Sequence, residues 1–419
     1  MRFFKWFYPG IGIKRWILLC ILGLSFIVAV ALSAVRTISQ SNIMLASFAT
    51  AILIFGLFLV YTAIKNMVRI FVRALMPPHR EDPLVDLVYQ QRQNESLLRG
   101  PRIVVLGGGT GLSTLLSGVK LYTSNITAIV TVTDTGGSSG RLRDEMDMPP
   151  PGDIRNCLVA LADAGPLIRD LFQYRFNVGE GLKGHSFGNL FITALSKVTG
   201  DFEKAIAESS KVLAIRGRVI PSTLDKVTLV GEFMDGAFIE GETNITDAQK
   251  PLRNIRLKPE NCRAHPEAID AIENADMIIL GPGSLYTSVL PNVLIQDIHN
   301  ALLRSDAYRV YIANVMTQPG ETDNFSIWDH LRVLIEHTDP RIVQACFVNV
   351  QLISQEMINK YQGKGAQPVM ADLDKVRAKG YEVIEGELLK LGGQVRHDPE
   401  LLARLIFDHY FKVAKAASV

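Results

Sequence analysis

The sequence predicts an α/β protein: a Rossmann-like, doubly wound sheet with a small β-rich insertion, preceded by a two-helix transmembrane hairpin. Three observations predict it. Three glycine-rich turns, Gly107-Gly108-Gly109-Thr110-Gly111, Thr135-Gly136-Gly137-Ser138-Ser139-Gly140 and Gly281-Pro282-Gly283-Ser284, each follow an apolar β-like run. Apolar residues at helical spacing come after the first turn (Leu112, Leu115, Leu116, Val119) and the third (Val289, Leu290, Leu294). Two uncharged apolar runs, Trp16 to Val35 and Ile43 to Ile64, open the chain.

Those two runs have the length that spans a bilayer's hydrocarbon core as helices. A cleavable signal peptide is disfavoured because the first run is long and a second span follows at once. Arg2, Lys5, Lys14 and Arg15 precede the first span and Lys65, Arg69, Arg73 and Arg80 follow the second, while the connection holds only Arg36. The positive-inside rule then places both termini and the main domain in the cytoplasm, on a multi-pass plasma-membrane protein. Neither span carries an ionisable residue, so the hairpin reads as an anchor with no ion path. The expected organisation is an anchor at 1–75, a linker at 76–100, partly helical around Leu84 to Leu98, and a nucleotide-binding domain at 101–419.

Of the 419 residues 48% are hydrophobic and 21% charged, with a formal net charge of +2, so no basic excess points to nucleic acid. Cys20, Cys157, Cys262 and Cys346 form no C-x-x-C pair and read as small hydrophobes, with no structural metal or disulfide frame.

In the soluble part, Arg102 to Leu106, the first turn, a helix and then Ile126 to Val132 form an opening βαβ unit. Met277 to Leu280 and Val310 to Val315 read as further strands, with helices about Asp153 to Ala162, Asn189 to Val198, Phe202 to Leu213 and Val289 to Leu303. Short alternating stretches between Arg218 and Cys262, such as Lys226 to Val230 and Ala237 to Glu240, read as the β-rich insertion.

Glycine turns at strand ends let backbone approach a ligand, and a helix that starts there aims free N–H groups at an anion. Three of them on one sheet edge are expected to converge on a single crevice. The first turn breaks G-x-G-x-x-G because Leu112 stands where the third glycine belongs, which disfavours a nicotinamide oxidoreductase. The loop Asp134 to Arg143 joins a carboxylate, hydroxyls including Ser138, and the guanidinium groups of Arg141 and Arg143. Asp153 reads as a helix N-cap, with Arg155 and Asn156 facing either the crevice or solvent. Lys183-Gly184-His185-Ser186-Phe187-Gly188-Asn189 supplies an imidazole and an amide before an apolar helix. Gly281, Pro282, Gly283 and Ser284 form the strongest single phosphate cradle, and Asn314 with Thr317 to Asp323 ends another strand at the same edge.

Together, IVVLGGGTGLSTLLSGVK, TVTDTGGSSGRLRDE with PPPGDIRNCLVAL, GHSFGNLFITAL, ILGPGSLYTSVLPN and NVMTQPGETDNFS resemble the bacterial gluconeogenesis-factor family, which is related to 2-phospho-L-lactate transferases. The resemblance implies a nucleotide-sugar ligand, UDP-N-acetylglucosamine by type, and a link to carbon metabolism and cell-envelope or cell-shape control, with envelope or metabolic proteins as partners. It assigns ligand binding to Gly108, Gly109, Thr110, Gly111, Asp134, Ser138, Arg141, Asn189, Gly281, Pro282, Gly283 and Ser284. The leading expectation is a non-catalytic, membrane-tethered regulator, with oligomerisation left open. The alternative is a phospholactyl-type transferase with Asp134 as base, His185 or Arg141 at the leaving phosphate, and Mg2+ assisting.

Overall fold

Strand β1 (Ile103–Gly107) is apolar at every position because both faces of its sheet are covered by helices. In the computed structural model, which describes residues 13–37, 43–75, 95–363, 365–390 and 394–417, seven parallel strands run in the order β10-β9-β8-β7-β1-β2-β3. The others are β2 (Ile126–Val130), β3 (Arg218–Pro221), β7 (Met277–Leu280), β8 (Tyr308–Ile312), β9 (Ala345–Asn349) and β10 (Glu382–Gly386). Alternate residues of β1 feed two apolar cores: Val104 and Leu106 join one, Ile103 and Val105 the other.

The chain builds β1, β2 and β3 outward in one direction, then returns beside β1 with β7 and continues outward the other way. This order makes the β1/β7 boundary the topological switch point, where a crevice opens beyond the carboxyl ends of the strands. The first and third glycine turns follow those two strands.

The insertion is a three-stranded antiparallel sheet, β5-β4-β6, of β4 (Thr228–Phe233), β5 (Phe238–Glu240) and β6 (Leu252–Lys258). It starts later than expected, because Arg218–Pro221 pairs in parallel with β2 and is the edge strand of the main sheet. The expected helix from Val289 to Leu303 is broken into a π-helical turn (Leu285–Val289), a short helix (Leu290–Val293) and Gln296–Arg304. Pro291 lacks the N–H that an interior helical position donates.

The described residues divide into two units after Gln90. In the first, helices α1 (Ile13–Thr37) and α2 (Ile43–Leu75) pack together at Gly23 and Gly56, where an added Cβ on Gly23 would lie 2.8 Å from the Gly56 carbonyl oxygen. Phe26 and Phe55 meet edge to face beside this crossing. Arg15–Leu32 and Ser47–Val68 are long and apolar enough to cross a membrane, with mean hydropathies of 2.4 and 2.2. The expected linker helix lies outside the described residues up to residue 94.

Candidate functional site

The first turn is held in extended backbone at Gly108 and then enters helix α3 (Gly109–Val119). A Cβ on Gly108 would lie 2.7 Å from Asp153 Oδ2 and from a Thr131 methyl. Across the switch point, a Cβ on Gly111 would lie 2.5 Å from the Pro282 carbonyl oxygen, so the first and third turns approach backbone to backbone. The Gly281 N–H donates to Leu106 O at 2.9 Å, and Asn314 brackets Gly283 by donating to its carbonyl at 2.8 Å and accepting from its N–H at 3.3 Å. Ser284 caps the π-helical turn by accepting from Thr287 N–H at 3.2 Å.

Between these turns lies a cavity of about 590 Å³. Gly108, Gly109, Thr110 and Gly111 line one side, and Pro282, Gly283 and Ser284 the other, with Gly281 at the strand end behind them. Tyr361, Gln394, Arg396 and His397 approach from the C-terminal part of the chain. Arg396 is the one Lys or Arg among the described lining residues. His397 is buried, which pulls its imidazole down to about 4 and leaves it neutral at pH 7.

Carboxyl groups stand in and behind the wall of this cavity: Glu242 lines it, and Glu321 and Asp153 contact residues that do. Glu321 accepts from Gln318 Nε2 at 2.8 Å and from Thr246 at 3.2 Å, and takes a short hydrogen bond from the Ser284 hydroxyl. Burial pushes Glu321 up to about 7, against the pull of those donors. Glu242, on helix α9 (Glu242–Asp247), lines the cavity and rises to about 8 through burial, then through the charges of Asp134, Asp153 and Glu321. Asp153 rises to about 6 through burial, while accepting from the Gly109 backbone. It is therefore no N-cap: Pro151 holds that position, and the Asp153 carboxyl supports the first turn from the opening turn of its helix α5 (Gly152–Leu161).

The second turn sits differently. Helix α4 begins at Gly137 (Gly137–Met146), so what reads as a loop to Arg143 is mostly helix, and Arg143 is buried with its guanidinium donating to Val227 O. Asp134 Oδ1 accepts from the Gly136 N–H at 2.8 Å. Ser138 Oγ lies 2.9 Å from His185 Nδ1 and accepts from Asn189 Nδ2 at 3.0 Å, all three residues being buried. With Asn189 donating, the serine hydroxyl is free to donate to His185, whose imidazole is held neutral by burial and then by Arg141's charge. Arg141 Nη2 donates to Lys183 O at 2.9 Å. Arg155 donates to Ser186 and Asn156, which ties it to the same wall.

The structure thus brings the first and third turns onto one cavity. Ser138, His185 and Asn189 form a hydrogen-bonded trio, and neither they nor Asp134 and Arg141 are among the cavity's lining residues. Asp134 still acts on the cavity through its charge, raising Glu242 and Asp153. Among the described residues no three His, Cys, Asp or Glu side chains are placed to hold a metal ion together.

The family described as 2-phospho-L-lactate transferase CofD matches residues 103–389, which include the glycine turns and the carboxyl cluster. A gluconeogenesis factor of Bacillus subtilis (strain 168) is 47% identical over 309 residues, covering 74% of this chain and 98% of the relative. This chain belongs to the CofD family, among its gluconeogenesis factors. A Clostridium acetobutylicum member is 42% identical over 418 residues, covering 97% of this chain and 92% of the relative, so it extends through the hairpin region. A crystal structure of a Bacillus halodurans protein matches with TM-score 0.72 and 45% identity, covering 74% of this chain and 100% of its own. Members of the CofD family therefore occur both with and without a segment equivalent to α1 and α2.

Glu321 belongs to the Thr317 to Asp323 segment expected at this sheet edge, whereas Glu242 and Arg396 were not legible as site residues. Glu242 stands in the insertion with no motif around it, whereas Gly392-Gly393 just before Arg396 was a turn signal that could have drawn attention to that segment.

Proposed function

We propose that this CofD-family chain is a regulatory protein that binds a nucleotide sugar of the UDP-N-acetylglucosamine type and is tethered through α1 and α2 to the cytoplasmic face of the plasma membrane. In this reading it links precursor supply to carbon metabolism and to cell-envelope or cell-shape control through envelope or metabolic protein partners. One observation carries the ligand class: two backbone turns and a single guanidinium face one another across a cavity of about 590 Å³ at the switch point. That volume is within the range of small-molecule sites. The N–H groups that open helix α3 and Arg396 suit a diphosphate, and the carboxyl groups and Asn314 suit sugar and base donors. The tether reading is supported by the apolar length of both helices and by the basic flanks.

The family description favours a second reading, transfer of a phospholactyl-type group from a nucleotide-activated donor. In it the acceptor alcohol's oxygen attacks the phosphorus of the donor as Asp134 takes its proton, and nucleoside monophosphate leaves toward His185 or Arg141. Calorimetric titration of the full chain in detergent with UDP-N-acetylglucosamine, other nucleotide sugars, GDP and NAD separates the two. Saturable binding of the nucleotide sugar with no turnover is expected. Release of nucleoside monophosphate from an activated phospholactate donor would establish the transferase instead.

A further inference from the structure

Strand β3 is an open edge of the main sheet, and a second cavity, of about 250 Å³, lies against it. Helices α6 (Pro166–Gln173), α7 (Phe187–Thr199) and α8 (Phe202–Leu213) cover one face of the sheet there, and α10 (Pro266–Glu273) covers the other. Phe172, Ile192 and Ile206 share a core with Val219, while Ala268 and Ile272 share the opposite core with Ile220. The cavity opens where α8 and α10 part at the sheet edge, and Ile206, Ala207, Val219, Ile220 and Pro221 form its apolar wall. It shares no lining residue with the nucleotide cavity. An added peptide strand does not suit this edge, because β3 has four residues and Pro221 has no N–H to give. The site fits a small molecule.

The polar end of this cavity is built round a buried imidazole. His265, 4% exposed, caps α10 with Nδ1 accepting from the Glu267 N–H at 3.2 Å. Nδ1 therefore holds no proton, and the ring's N–H is at Nε2. Among the described residues Nε2 has no hydrogen-bond partner: Glu203 Oε2 stands 3.3 Å away but off the line of a hydrogen bond. A buried donor left unpaired is costly, so a ligand that pairs it gains affinity. The two lining acids differ. Glu267 is balanced by Arg218 at 3.0 Å, whereas Glu203 faces no Lys or Arg among the described residues. Ser210 Oγ donates to Ile206 O, which leaves its lone pairs to accept.

We infer that this cavity binds an aliphatic α-amino acid. The ligand's carboxylate accepts from His265 Nε2–H, with the Arg218 guanidinium also lining the cavity. Its ammonium donates to Glu203 and Ser210, and its side chain lies on the apolar wall. An alcohol would leave the Glu203 charge unmatched, and a simple amine would leave His265 unpaired. This inference stands apart from the nucleotide-sugar reading and needs no nucleotide.

Calorimetric titration of the full chain in detergent with L-leucine tests it. Saturable binding is expected, with a dissociation constant of about 10 μM to 1 mM. Isopentylamine and 4-methylpentanoate each lack one charged group and should bind at least ~10-fold more weakly. Glu203→Gln should weaken L-leucine binding ~10-fold, and Ala207→Phe, which fills the cavity from its exposed rim, should abolish it. Both variants should melt near the wild type. No binding at ~10 mM L-leucine, or binding indifferent to both variants, overturns the proposal. Isopentylamine binding as tightly as L-leucine assigns the cavity to a simple amine and likewise overturns it.

Discussion

Gly111 and Pro282 meet across the switch point so closely that a Cβ on Gly111 would lie 2.5 Å from the Pro282 carbonyl oxygen. The contact joins the turn after β1 to the turn after β7 with no side chain between them. Gly111→Val must therefore push the two turns apart. It should abolish nucleotide binding and lower stability by ~1–3 kcal/mol, read by calorimetry and urea unfolding. Unchanged affinity would show the turn-to-turn contact to be irrelevant to the ligand.

Arg396 supplies the fixed positive charge among the described residues that line the cavity. Arg396→Ala should weaken nucleotide-sugar affinity by about 10- to 100-fold, the loss of a charge-assisted hydrogen bond to phosphate. Arg396→Lys should recover only part, since an ammonium cannot make the bidentate contact. Because the side chain is exposed, both variants should melt with the wild type.

The carboxyl cluster makes binding pH-dependent. Glu242 is raised to about 8 and Glu321 to about 7, by burial first. Below those values both groups are neutral and tolerate a phosphate; above them their charges repel it, so affinity should fall as pH rises from 6 to 9. Stability follows the same protons: the folded state holds them and the unfolded state does not, so stability should decline as pH rises from the ordinary Glu range through about 8. Glu242→Gln should flatten both profiles. Calorimetry and thermal melts across this range, with proton uptake measured on ligand addition, check the sign.

Helices α1 and α2 present apolar side chains such as Leu18, Phe48 and Phe58 at 60% exposure or more, as lipid-facing residues would. The full chain should stay in the membrane pellet after alkaline carbonate extraction, and a chain starting at Glu95 should be released. Extraction of the full chain would contradict the tether.

Much of the fold was readable because period and punctuation agreed. The runs before Gly107 and Gly281 are apolar throughout, as buried parallel strands require, and the helices after them keep their spacing. β10 escaped notice because Glu382 and Glu385 interrupt its apolar pattern at the sheet edge, where one side is solvated. The first and third turns were legible for the same local reason. Which carboxyl groups act on one another was not: Glu242 and Glu321 are 79 positions apart and Asp153 belongs to another helix, so only tertiary packing brings their charges together. Asp134, Ser138 and His185 were read as part of the crevice, and the structure sets them beside it, because α4 begins at Gly137 and turns Ser138 toward Asn189.

The central claim is that the crevice between Gly108–Gly111 and Gly281–Ser284 holds a nucleotide sugar. A structure of the full chain determined with UDP-N-acetylglucosamine tests it most directly. The account predicts the diphosphate in this crevice at the N–H groups that open helix α3, with Arg396 folded onto it. Ligand density elsewhere on the molecule, or none at millimolar ligand with both turns intact, would contradict it.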